Sequence, residues 1–184
     1  MSQFLKSTRL LLAALAVSSP FRLGCVSAEA RPRSATFQQS RPETDEPDKL
    51  DLDLETIRER LLSLHNEARV DEKLKKLEVS PKLREAAQKH AEEMAERGEM
   101  THEGKDGSTP AERIKAEGYR YRRCGENIAF GRFSPQSVMD GWLDSPPHKK
   151  NILGSFSQIG IGYAKAKNGA SYWCVTFGLP APAR

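Results

Sequence analysis

The chain has 184 residues, of which 38% are apolar and 29% charged, with 29 basic and 25 acidic side chains and a formal net charge of +4. That is room for one domain with a real core, and too balanced a charge for a nucleic-acid-binding surface. Beyond Arg120, Arg122 and Arg123, read as a solvated loop, no run or face concentrates positive charge.

Lys6 and Arg9 precede the apolar run 10–17, which is too short to anchor in a bilayer and reads as a secretory signal. Small-residue cleavage patterns at Val26-Ser27-Ala28 and Ala28-Glu29-Ala30 start the mature chain near Glu29 or Arg31. Loss of Lys6, Arg9, Arg22 and Glu29 then leaves 26 basic and 24 acidic side chains, a net charge of +2. The alternative is lipid attachment at Cys25 in Leu23-Gly24-Cys25, with Arg22 where that motif wants an apolar residue. Residues 31–50, with Pro32, Pro42 and Pro47 among polar side chains, read as a disordered linker. No repeat or membrane span follows.

The domain is expected over residues 51–180. Ile57, Leu61, Leu64 and Ala68 recur at helical spacing and predict a first helix from Leu54. Ser80 and Pro81 open a second, with Leu83, Ala86, Ala87, His90, Ala91, Met94 and Ala95 as its stripe and Gly98 as its end. His90 on that stripe reads as a core or boundary histidine. Thr109-Pro110-Ala111-Glu112 is a capping box for a short helix that stops at Gly118. Ser134-Pro135 opens another, placing Val138, Met139, Trp142 and Leu143 on one face before Pro146 and Pro147 break it. Residues 124–130 look extended. So do the alternating stretches around Ile159, Ile161 and Tyr163 and around Trp173, Val175 and Phe177, joined as a hairpin by Lys167-Asn168-Gly169. Early helices and late strands imply an α+β fold, a sheet covered by helices.

Cleavage of the signal leaves Cys124 and Cys174, an even pair in an oxidising compartment, so a disulfide is expected, constraining the unfolded chain by about 4 kcal/mol. The alternative is two buried free thiols. His102 and His148 fall in expected loops, with Glu126 and Asn127 interrupting an apolar strand between them. Two imidazoles and a carboxylate form a zinc ligand set with a fourth position for water or ligand, although their spacing matches no local metal signature. The other reading of Glu126 is a carboxylate that orients neighbouring groups. Ser145 beside His148 reads either as nucleophile and base or, with Pro146 and Pro147, as the N-cap of a short helix ending at Gly154. No HExxH, GxSxG or reactive cysteine argues for turnover.

The order of Leu64-His65-Asn66-Glu67-Ala68-Arg69, Met100-Thr101-His102, Gly125-Glu126-Asn127-Ile128-Ala129, residues 142–153 and Ile159-Gly160-Ile161-Gly162-Tyr163 resembles the CAP superfamily. These are the SCP-like extracellular domains of the cysteine-rich secretory protein, antigen 5 and pathogenesis-related 1 type, and the His148 segment is similar to the bacterial branch. The resemblance covers about residues 56–179. It implies a three-layer α-β-α sandwich with a cleft lined by two histidines and two acidic residues, holding a divalent metal such as zinc in some members. His102, Glu126 and His148 match three of those positions. Where many eukaryotic members place glutamate after the tryptophan, this chain has Leu143, Asp144 and Ser145, which leaves Asp144 as the substitute. Asp144, Ser145 and Asn127 are the further cleft candidates. His65, Asn66 and Arg69 are expected to stitch the first helix to the sheet by hydrogen bonds, and Asn127 and Asn151 to satisfy backbone in tight segments. The resemblance implies binding of a lipid, sterol, cell-envelope component or extracellular protein more than turnover. Metal-dependent hydrolysis in the same cleft and a non-catalytic scaffold are the alternatives.

Overall fold

Asp53 starts the first helix: its carboxylate accepts the backbone N–H groups of Glu55 and Thr56 at 3.0 Å, and α1 runs Leu54–Asp71. The computed structural model describes residues 52–131 and 133–182. The signal, its cleavage sites, Cys25 and the linker lie outside the described residues. α2 (Pro81–Arg97) buries Leu83, Ala86, Ala87, His90, Ala91 and Met94 and closes at Gly98 with φ 68°. Ser80 takes the N-cap position without a side-chain cap bond; its backbone N–H instead donates to the Ile159 carbonyl at 2.9 Å and pins the helix to the sheet. α3 (Pro110–Ala116) carries the complete capping box of Thr109 and Glu112, and α4 (Pro135–Asp144) is capped by Ser134. α5 is the short helix Pro146–Ile152.

Four strands, β1 (Glu78–Val79), β2 (Tyr121–Gly131), β3 (Gln158–Lys165) and β4 (Ser171–Pro180), form a mixed sheet in the order β1-β3-β4-β2. β3 and β4 are the expected antiparallel hairpin, β2 is antiparallel to β4, and β1 is parallel to β3. β1 is too short to show alternation, so nothing in the sequence marks it. Alternation sorts the rest into two faces. Ile159, Ile161, Trp173, Val175 and Phe177 pack with Ile57, Leu61, Leu64, Met139, Trp142 and Ile152, which puts α1, α4 and α5 on one face. Ile128, Tyr172 and Cys174 meet Ala87, Ala91 and Met94, and Ile114 joins Leu83, which puts α2 and α3 on the other. The result is the α-β-α sandwich of an α+β fold.

α2 lies directly on β3 because Gly160 and Gly162 face it. A Cβ at Gly160 would stand 2.1 Å from the Leu83 carbonyl carbon, and one at Gly162 2.3 Å from that of Ala87. Side chains cover both sheet edges. On β3, Arg58 Nε donates to the Ile161 carbonyl at 3.2 Å, and the Gln88 amide meets both backbone groups of Tyr163, as a neighbouring strand would. On β2, Trp142 Nε1 donates to the Ile128 carbonyl at 3.1 Å and Asn151 Nδ2 to the Glu126 carbonyl at 3.0 Å.

The expected disulfide is not formed: both thiols are free. Register is the reason, since Cys124 lies opposite Gly178 while Cys174 lies opposite Ile128. Four residues of offset amount to about 13 Å along a strand, against a reach of roughly 7 Å between bridged Cα atoms. The expected stitching by α1 also takes another form. Asn66 meets both backbone groups of Leu77, at 2.7 and 3.2 Å. Arg69, 3% exposed, donates to the carbonyls of Lys75, Ile152, Gly154 and Phe156, so it ties α1 to the connection between α5 and β3. His65 makes no hydrogen bond to the sheet. Its Nδ1–H donates to the Leu61 carbonyl in its own helix at 2.8 Å, and its ring packs against Trp142 and Phe177 with centroids 5.9 and 5.7 Å away.

Gly160→Ala is expected to cost several kcal/mol in urea unfolding, since backbone must move. Gly141→Ala in α4, where an added Cβ meets nothing within 4 Å, should be neutral or stabilising by roughly 0.5–1 kcal/mol. Comparable losses in the two variants would contradict this packing. Burial lowers the His65 pKa from 6.5 to about 4; the Leu61 carbonyl opposes the shift and the Arg69 charge adds to it. Between those values the unfolded chain binds a proton that the folded protein does not. His65 therefore costs no stability above pH 6.5 and about 3 kcal/mol by pH 4. Unfolding midpoints at pH 7 and pH 4 should converge markedly in His65→Gln; an unchanged gap would refute the assignment.

Candidate functional site

Glu126 on β2 is a carboxylate inside the protein, its side chain 2% exposed. Oε1 lies 2.8 Å from His102 Nδ1 and accepts from Arg113 Nη2 at 3.1 Å. Oε2 accepts from Arg113 Nη2 at 2.8 Å and from the Cys174 thiol at 3.5 Å. Burial alone would raise the pKa of this carboxyl. The His102 N–H outweighs burial together with the charge of Arg113 and the electrostatic influence of His90, and the carboxyl is held below its usual range. Glu126 is therefore ionised and can only accept, so His102 carries its proton on Nδ1. The His102 side chain is itself 53% exposed. Burial next to Glu126 also pushes the Cys174 thiol well up, which keeps it protonated and unreactive.

His148 arrives from the opposite helical layer. Asn127, fully buried, donates Nδ2 to the His148 carbonyl at 3.1 Å, and Asn151 Nδ2 meets Asn127 Oδ1 at 2.8 Å while also holding the Glu126 carbonyl. These bonds fix α5 against β2. They bring His148 within electrostatic reach of His102, and burial together with that neighbour lowers the His148 pKa, favouring the neutral ring. Ser145 sits at the α5 N-cap position without capping it. Its hydroxyl turns to His148 Nδ1 at 2.8 Å. Asp144, at the end of α4, is exposed and makes no ion pair or hydrogen bond with these histidines.

Among the described residues no three His, Cys, Asp or Glu side chains are grouped to hold a metal. Both Glu126 oxygens already accept hydrogen bonds, and the Arg113 charge beside them opposes a cation. What remains is a pair of imidazoles, one backed by a carboxylate. The surface concavities along α1, lined by residues such as Arg58, Leu62 and Asn66, share no lining residue with this pair. Arg113 is the site residue the sequence reading lacks. It stands on a seven-residue helix that buries only Ile114, and its one signal is its place between His102 and Glu126.

Arg113→Met should destabilise the protein by roughly 3–5 kcal/mol, because it strands the Glu126 charge. Adding Glu126→Met should restore most of that loss. Urea unfolding of the three variants gives the coupling energy, and a loss below about 1 kcal/mol for Arg113→Met would contradict the buried pair.

Residues 62–177 match the family described as CAP, the cysteine-rich secretory protein family. Among curated relatives from Bacillus subtilis, the uncharacterized protein YkwD is 31% identical over 119 residues, which are 64% of this chain and 45% of that protein. The uncharacterized membrane protein YlbC is 32% identical over 108 residues, 58% and 31% of the two chains. The chain thus spans less than half the length of either relative. Among solved structures, an outer surface protein of Borrelia burgdorferi superposes with a TM-score of 0.66 at 27% identity, covering 71% of this chain and 97% of that one. An extracellular SCP-domain protein of Bacillus anthracis, at 21% identity, shares the fold with a TM-score of 0.59 over 69% of this chain and 44% of its own. The chain belongs to the CAP family and carries its extracellular-type, SCP-like domain.

Proposed function

We propose that this is an exported CAP-domain binding protein whose cleft accepts a divalent metal ion, zinc foremost, between His102 and His148, next to an apolar or cell-envelope ligand. The observation that carries the reading is the bond between His102 Nδ1 and Glu126, because it fixes the tautomer whose Nε2 is a ligand atom. The lowered His148 pKa supports it by keeping that ring neutral. A metal bound there would supply a Lewis-acidic position open to a ligand oxygen. Two imidazoles make a weaker site than three or four ligands do. The apolar ligand is supported by Met100, Phe130 and Phe133, each close to half exposed and near His102 or Glu126 in the chain.

Export rests on the pattern of residues 1–30 and on relatives described as outer surface and extracellular proteins. No helix among the described residues is long and apolar enough to cross a membrane.

The bond between Ser145 and His148 favours a second reading, hydrolysis with Ser145 as nucleophile. The two readings need opposite tautomers. As a metal ligand through Nε2, His148 donates Nδ1–H to Ser145; as a base it accepts the Ser145 proton at Nδ1.

Zinc titration by calorimetry should show one site, abolished by His102→Ala and by His148→Ala and weakened about 10–100-fold by Glu126→Gln. Equal, poor binding by wild type and both alanine variants would remove the metal reading. Ester hydrolysis lost in Ser145→Ala, or metal-dependent turnover lost with either histidine, would replace binding with catalysis.

A further inference from the structure

His90 lies on the buried stripe of α2, 1% exposed, at a position where an apolar side chain would serve packing alone. Its ring is not satisfied within its own helix. Nε2 lies 2.8 Å from the carbonyl oxygen of Thr101, eleven residues further along the chain. A carbonyl only accepts, so Nε2 carries the proton and Nδ1 the lone pair, and that Nδ1 is buried with no hydrogen-bond partner among the described residues.

The Thr101 carbonyl belongs to the peptide unit whose nitrogen is that of His102. Because a peptide is planar, holding its oxygen also sets the direction in which the chain enters His102. The segment between α2 and α3 has no helix or strand of its own to do this. Its other ties include the Glu99 N–H to the Met94 carbonyl at 3.2 Å, the Arg97 guanidinium to the Glu99 carboxylate at 2.6 Å and to the Glu103 carbonyl at 3.5 Å, the Glu103 N–H to Thr101 Oγ1 and the Lys105 N–H to Glu93, and none of these holds the Thr101 carbonyl. The same imidazole is also within electrostatic reach of Glu126 and Arg113, the groups that His102 must meet.

We propose that His90 is a positioning residue for the cleft: through its bond to the Thr101 carbonyl it orients the peptide that delivers His102 Nδ1 to Glu126 and leaves His102 Nε2 available to a ligand. The consequence for metal affinity rests on the binding function proposed above, whereas the consequence for the His102 ring does not.

The test records ring 15N spectra of His90 and His102 together with zinc affinity, in the full chain and in His90→Leu and His90→Gln. Wild type should show His90 protonated at Nε2 and His102 at Nδ1. His90→Leu, which removes the donor, should give a mixed tautomer at His102 and lower zinc affinity at least tenfold. His90→Gln can place an amide N–H where Nε2 stood and should keep both readouts near wild type. Wild-type spectra for His102 and zinc affinity in His90→Leu would overturn the proposal, as would equal losses in the two variants. If His90→Leu does not fold, the His90 tautomer in wild type and the glutamine variant decide, and His90 protonated at Nδ1 overturns it. If wild type binds no zinc, the metal reading falls while the His102 tautomer still tests His90.

Discussion

Glu126 joins the two helical layers across the edge of the sheet. Its backbone carbonyl is held by Asn151 from α5, while its side chain is held by Arg113 from α3 and by His102 from the segment after α2. A buried carboxylate costs several kcal/mol in desolvation, and only good pairing offsets it. That requirement fixes where α3 and the His102 segment stand relative to β2. One strand residue thus makes demands on both of its sides.

α5 shows how little of this arrangement is local. Seven residues do not hold a helix by themselves in water. Its position comes from the three carbonyls, of Ile152, Gly154 and Phe156, that Arg69 gathers at and beside its C-terminal end, and from the Asn127 and Asn151 bonds along β2. His148 inherits its place from these ties. His102 likewise follows from Glu126, so each imidazole is positioned by groups other than its own element. The edge strand has carbonyls satisfied by Trp142 and Asn151, which covers that edge against pairing with another strand.

The elements legible in the sequence are those with a local cause. The stripe from Leu83 to Met94, the capping box at Thr109 and the turn at Asn168-Gly169 each mark an element with residues a few positions apart. β1 escapes because two residues carry no period. The cysteines mislead for a related reason: their even number is visible, but the register that sets Cys174 opposite Ile128 is a property of paired strands. His102, Glu126 and His148 stand out by residue type, yet whether Glu126 is a ligand or an orienting group depends on Arg113. Arg113 reaches it from another element, and neither spacing nor propensity records that contact. His65 carries a polar type at a core position, where burial makes it a neutral packing ring.

Zinc-soaked crystals of the full chain, with anomalous diffraction measured at the zinc edge, put the central claim most directly to the test. If Glu126 orients His102 and is not itself a ligand, zinc will lie against the Nε2 atoms of His102 and His148, with Glu126 still paired to Arg113. Zinc on a Glu126 oxygen, with Arg113 displaced, would contradict the account.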